Sequence, residues 1–77
     1  MTQTMIRNDY RRIGKRAFYD AVRRYEMRCG GLAFETPVSG LPPRVDWRHN
    51  GRLIGYVIKA TSSRDDDIYW IDRSLLS

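Results

Sequence analysis

Residues 44–59 read Arg44-Val45-Asp46-Trp47-Arg48-His49-Asn50-Gly51-Arg52-Leu53-Ile54-Gly55-Tyr56-Val57-Ile58-Lys59, and the Asn50-Gly51 pair at the centre decides how they fold. Asn-Gly is the preferred dipeptide for a two-residue type I′ turn, because both positions need a positive φ that these residues reach at low cost. A turn placed there sets the register: His49 faces Arg52, Trp47 faces Ile54, and Val45 faces Tyr56. Side chains alternate along a strand. Val45, Trp47, Ile54, Tyr56 and Ile58 are therefore expected on one face, with Arg44, Asp46, Arg48, Leu53, Val57 and Lys59 on the other. The stretch reads as an antiparallel hairpin.

Before the hairpin, Pro37 to Pro43 with Gly40 between them reads as a connecting loop, and Leu32-Ala33-Phe34-Glu35 as a short edge strand. Further upstream the period changes. Tyr10, Ile13, Ala17, Ala21 and Tyr25 recur at steps of three or four, with Gly14, Phe18 and Val22 widening the stripe, which is the pattern of an amphipathic helix. Asn8-Asp9 offers a capping side chain, Gly30-Gly31 a left-handed stop, and Arg28 a cation in the last turn. A helix over 9–28 follows. After the hairpin, Thr61 to Asp67 is a polar loop with an acidic tip. Ile68-Tyr69-Trp70-Ile71-Asp72 is a last antiparallel strand, and Leu75-Leu76 either tucks against the core or frays.

The expected fold is α+β, with one long N-terminal amphipathic helix packed on a three- to four-stranded antiparallel sheet, in the order α-β-β-β-β. A chain of 77 residues has room for one domain. Residues 1–7 are expected to be flexible and residues 32–73 to form the sheet. The two tryptophans, Trp47 and Trp70, are core candidates together with Tyr56, Tyr69, Phe18 and Tyr25. If the helix covers one sheet face, Leu53 and Val57, with Tyr69 and Ile71, are left on the other as a partner surface or homodimer seam.

The formal net charge of +5 is unevenly placed. Up to Gly31 eight bases face three acids; from Leu32 onward six face six. Arginine supplies twelve of the fourteen bases, and its planar fork grips phosphate or carboxylate at two points. Read as a helix, the N-terminal segment sets Arg12, Arg16, Tyr19 and Arg23 in a line opposite the apolar stripe, with Lys15 beside it. Cations with an interleaved aromatic suit phosphate contact and base stacking. Asp20 lies four residues from Arg16 and Arg24, and Glu26 three from Arg23, so intrahelical pairs can absorb part of that charge. On the hairpin, Arg44, Arg48, His49 and Arg52 form a second basic group, neutralised in part by Asp46.

Other function classes find little footing. No metal or cofactor site is expected, since Asp65-Asp66-Asp67 has no second acidic cluster to complete a coordination shell. Cys29 and His49 are the sole cysteine and histidine, and no catalytic motif spaces them together. The chain is therefore read as a non-enzyme with no catalytic residues. A lone thiol, no membrane-spanning apolar run and no apolar leader at Met1 to Arg7 lead to an expected cytoplasmic setting. The helix-then-strands order is similar to part of the double-stranded-RNA-binding domain, whose second helix and loop motif have no counterpart here; order alone carries no function.

The expected function is a small binding protein that contacts nucleic acid or a nucleoprotein complex through Arg12, Lys15, Arg16, Tyr19, Arg23, Arg48 and Arg52. The alternative is an inhibitor or regulator, of the kind phages and mobile elements encode, that binds a host protein complex. A remote alternative is a ribonuclease toxin working with arginine, lysine and tyrosine side chains.

Overall fold

The computed structural model describes residues 9–76. Within them the chain runs as β1 (Tyr10–Ile13), α1 (Lys15–Cys29), β2 (Phe34–Val38), β3 (Arg44–His49), β4 (Arg52–Ile58) and β5 (Ile68–Asp72), closed by a 3-10 turn at Arg73–Leu75. The strands form one sheet in the order β1-β5-β4-β3-β2, and its neighbours pair antiparallel. The class is α+β, as expected. The expectations for residues 1–7 and for an Asn8 cap lie outside the described residues.

The helix begins later than its apolar period suggests. Tyr10–Ile13 is not its first turn but a fifth strand, paired with β5 as Tyr10↔Asp72, Arg11↔Ile71, Arg12↔Trp70 and Ile13↔Tyr69. An apolar step of three, Tyr10 to Ile13, satisfies a helix stripe, but it also puts one residue on each face of a strand. Here Ile13 packs against the core beneath the helix, while Tyr10 reaches across the opposite face and donates its hydroxyl to the Leu53 carbonyl at 2.6 Å. Gly14 marks the boundary. It is extended at φ −74°, ψ 165°, and its carbonyl accepts the first helical bond from Phe18 N at 2.9 Å. A glycine inside a helix costs about 1 kcal/mol relative to alanine, so it sits better as a cap. At the other end Gly30 is left-handed at φ 71° and returns its N–H to the Glu26 carbonyl, as the sequence indicates. We expect Tyr10→Phe to lose about 1 kcal/mol of stability, read as a lower urea midpoint at unchanged slope. An unchanged midpoint would mean that the β1 anchor carries no weight.

The hairpin turns at Asn50 and Gly51, whose φ values of 51° and 81° are both positive, as a type I′ turn requires. Next to the turn His49 faces Arg52, as expected, but the register then slips. Arg48 pairs with Leu53 and Trp47 with Gly55, leaving Ile54 as an extra residue in β4. This β-bulge sets Ile54 and Gly55 toward the helix and turns over everything beyond them. Val57, Tyr69 and Ile71 lie in the core under α1, whereas Tyr56 and Ile58, expected beside Trp47, pair with Asp46 and Arg44 on the far face. Gly55 was the signal for the slip, since glycine within a strand marks a bulge or a close backbone approach.

That approach holds the fold together. Phe18, with no exposed surface, lies over Gly55 and tilts against Tyr69 at 5.3 Å and Trp47 at 5.9 Å between ring centroids. Ala21, Val22 and Tyr25 continue the buried face of α1 onto Ile54, Val57, Ile71 and Leu75. Leu75 is carried inward by the 3-10 turn, which Asp72 caps by accepting from Ser74 N, and Leu76 packs beside it. Strand β2 runs from Phe34 to Val38, so Pro37 belongs to it rather than to the following loop. As the outermost strand beside β3, it tolerates a residue that cannot donate to a ladder.

Candidate nucleic-acid interface

With a single helix on one side, the other face of the sheet has no covering element among the described residues. Cross-strand partners share a face, so the register assigns what lies there. One row runs straight across five strands: Arg12, Trp70, Tyr56, Asp46 and Thr36. A second row carries Ile68, Ile58, Arg44 and Val38, and a third Arg48 with Phe34, which is 69% exposed. Tyr56 and Trp70 lie nearly parallel, at 15° with centroids 6.1 Å apart. Tyr10 tilts onto Tyr56 at 5.5 Å. The face is therefore aromatic at its middle and basic on both sides.

Asp46 is the one buried charged residue among those described, 2% exposed. Its Oδ2 accepts from Arg44 Nη2 at 3.1 Å and from Arg48 Nη2 at 3.5 Å. Arg44 Nε lies 2.7 Å from Oδ1 as an ion-pair contact off the hydrogen-bond axis. The Arg44 guanidinium also stands 5.1 Å over the Tyr56 ring, and Arg48 Nη1 donates to the Gly51 carbonyl at the hairpin turn. One carboxylate thus orients two arginines. Both remain partly exposed, so each keeps donors for a ligand.

The residues singled out in the sequence are divided among three places. Arg12 is on β1, not on the helix, and shares the open face with Arg48. Arg16, Tyr19 and Arg23 are exposed on α1, on the opposite side of the sheet. Tyr19 leans inward, edge-on to Trp47 at 5.9 Å and Tyr69 at 6.0 Å. Lys15 opens the helix and, with Arg12, lines a cleft of about 770 Å³ against Asp65, Asp66 and Asp67. Arg52 is committed elsewhere: it donates to Asp72 at 2.7 Å and Ser74 at 3.0 Å, and stands 5.9 Å over Tyr25. The intrahelical pairs expected for Asp20 and Glu26 do not form within ion-pair distance among the described residues. Glu26 instead accepts from Ala33 N at 2.8 Å and ties the helix end to the next segment. What the sequence did not disclose is that Tyr10, Tyr56 and Trp70 belong together, because they come from three strands and the bulge decides their side.

Two further clusters are structural. The Tyr25 hydroxyl lies 3.1 Å from His49 Nδ1 and pins α1 to the hairpin; burial first, then the Cys29 thiol, pushes that phenol up. Asp67 accepts from Lys59 Nζ and Ala60 N, each at 2.8 Å, and these bonds hold its carboxyl below the usual value. Burial pushes the Asp72 carboxyl up, but the bonds from Arg52 and Ser74 outweigh it and the net shift is downward. A carboxyl with a lower pKa folded than unfolded contributes stability that is complete above the unfolded value and lost as pH falls through the folded one. We therefore expect the melting temperature to fall on acidification below the ordinary carboxylate range. Asp72→Asn should flatten that acid limb; an unchanged limb would remove Asp72 from the account.

Among the described residues no three His, Cys, Asp or Glu side chains are placed to hold a metal ion, and no helix is long and apolar enough to cross a membrane. Comparison of the chain with protein-family models, curated proteins and solved structures finds no match.

Proposed function

We propose that this protein is a small binding module for nucleic acid, free or within a nucleoprotein complex, and that it meets its ligand on the open face of the sheet. The observation that carries this reading is the half-buried Trp70, stacked beside the buried Tyr56 and flanked by Arg12 on one side and the Asp46-held Arg44 and Arg48 on the other. Arginines supply the phosphate contacts that dominate such affinity, and a partly open aromatic ring supplies stacking. The net charge of +5 favours approach of a polyanion.

Titrating labelled DNA and RNA across a salt series tests the reading. Affinity should fall steeply with salt, and Arg12→Gln and Arg48→Gln should each reduce the slope by about one phosphate contact. The paired replacement of Arg16 and Arg23 with glutamine should leave that slope unchanged. Loss of binding in the paired helix variant would return the contact to the helix face. No binding at low salt would overturn the proposal. It would favour a protein partner, for which Leu32 and Phe34, 67% and 69% exposed beside or on the β2 edge, supply an apolar anchor.

A further inference from the structure

The open face presents part of the Trp70 ring as well as cations, and this distinguishes a single strand from a duplex. In a duplex the base faces are stacked on one another, leaving phosphates and groove edges for recognition. An unpaired strand offers base faces to aromatic side chains. A site for duplex phosphates has no use for an indole left partly open between cations, as Trp70 is here.

Here the rings are held in place before any ligand arrives. Tyr10 is tethered through its hydroxyl to the Leu53 carbonyl at 2.6 Å, and Tyr56 lies beneath the Arg44 guanidinium. Trp70 is the half-buried neighbour of Tyr56 and pairs across the sheet with Arg12. Beyond this row the same face runs into a groove of about 480 Å³ where β4 ends and β5 begins, lined by Arg12, Ile58, Lys59, Arg64 and Ile68 together with Asp65 and Asp66. Arg12, Lys59 and Arg64 offset the two carboxylates there, and the carboxylates can accept from base amino groups.

We infer that the ligand is a single-stranded nucleic acid, with one base stacked on Trp70, its phosphates met by Arg12, Arg44 and Arg48, and a neighbouring base directed into the groove beside Ile58 and Ile68. This rests on the nucleic-acid reading of the open face. It adds the strandedness of the ligand and the residue that reports it.

Tryptophan fluorescence of the intact protein provides the test, because Trp70 is on the open face and Trp47 is on the helix face. The probes are oligothymidylate, oligouridylate and a duplex of the same length, each titrated at low salt. The expected result is quenching by the single strands, retained in Trp47→Phe and absent in Trp70→Phe. Affinity for the single strands should fall roughly tenfold or more in Trp70→Ala, with the far-ultraviolet spectrum confirming the fold. Equal affinity for duplex and single strand, without Trp70 quenching, would overturn the single-strand inference and leave the phosphate-binding reading standing. No binding by any probe would overturn both.

Discussion

Replacing Gly55 with valine is expected to cost about 3 kcal/mol or more, at the upper end of what overpacking a core costs. A domain of this length has roughly 4–12 kcal/mol in total. A Cβ at Gly55 would stand 2.8 Å from Phe18 Cε1, 2.8 Å from the Trp70 carbonyl oxygen and 3.2 Å from Ile71 Cδ1. Phe18 has no exposed surface and is enclosed by Trp47 and Tyr69, so its ring has little room to withdraw. The carbonyl belongs to the neighbouring strand, and moving it disturbs the ladder. Even Gly55→Ala should lower the urea midpoint clearly, by about 2 kcal/mol. Phe18→Leu in that background should recover only part of the loss, because the clash with the carbonyl remains. Additive losses in this cycle, or an unchanged midpoint in Gly55→Ala, would show that Phe18 is not seated on the bulge.

Removing the Asp46 carboxylate is the second large effect expected. Breaking a buried ion pair by deleting one partner costs about 3–5 kcal/mol when the remaining charge is enclosed. The Arg44 and Arg48 side chains are 37% and 43% exposed, so water takes up part of their charge. A loss of about 1–3 kcal/mol is therefore expected for Asp46→Ala. The binding consequence separates charge from geometry. Asp46→Asn keeps both arginines and removes one negative charge, so the net charge rises by one. If only charge governs the open face, that variant binds nucleic acid more tightly. If Asp46 acts by orienting Arg44 and Arg48, it binds more weakly despite the added charge, and weakening is the outcome we expect. Tighter binding would reduce Asp46 to a structural residue.

Local chemistry made much of this molecule legible. The hairpin turn was readable because Asn-Gly has few alternatives to positive φ, and the helix end because Gly30 supplies the same conformation. The buried face of α1 was readable from the spacing of Phe18, Ala21, Val22 and Tyr25. The start of α1 was not: Tyr10 and Ile13 fit a helix stripe and a strand equally well, and pairing with β5 decides between them. The division of the sheet's residues between its faces was less legible still. One extra residue at Ile54 inverts Tyr56, Val57 and Ile58 together, since alternation carries any slip to the end of a strand.

The candidate site inherits that division. The sequence by itself determined an α+β chain with a type I′ hairpin, an amphipathic helix and an excess of arginine in its first third. Those are consequences of turn stereochemistry, apolar period and composition, and each acts within a few residues. Only the tertiary structure moved Arg12 from helix to strand, turned Tyr56 and Ile58 over, and brought Tyr10, Tyr56 and Trp70 beside Arg44 and Arg48. The reason is physical: which face a side chain occupies depends on strand partners up to sixty-two residues apart, as with Tyr10 and Asp72, and on where Phe18 requires the absence of a Cβ.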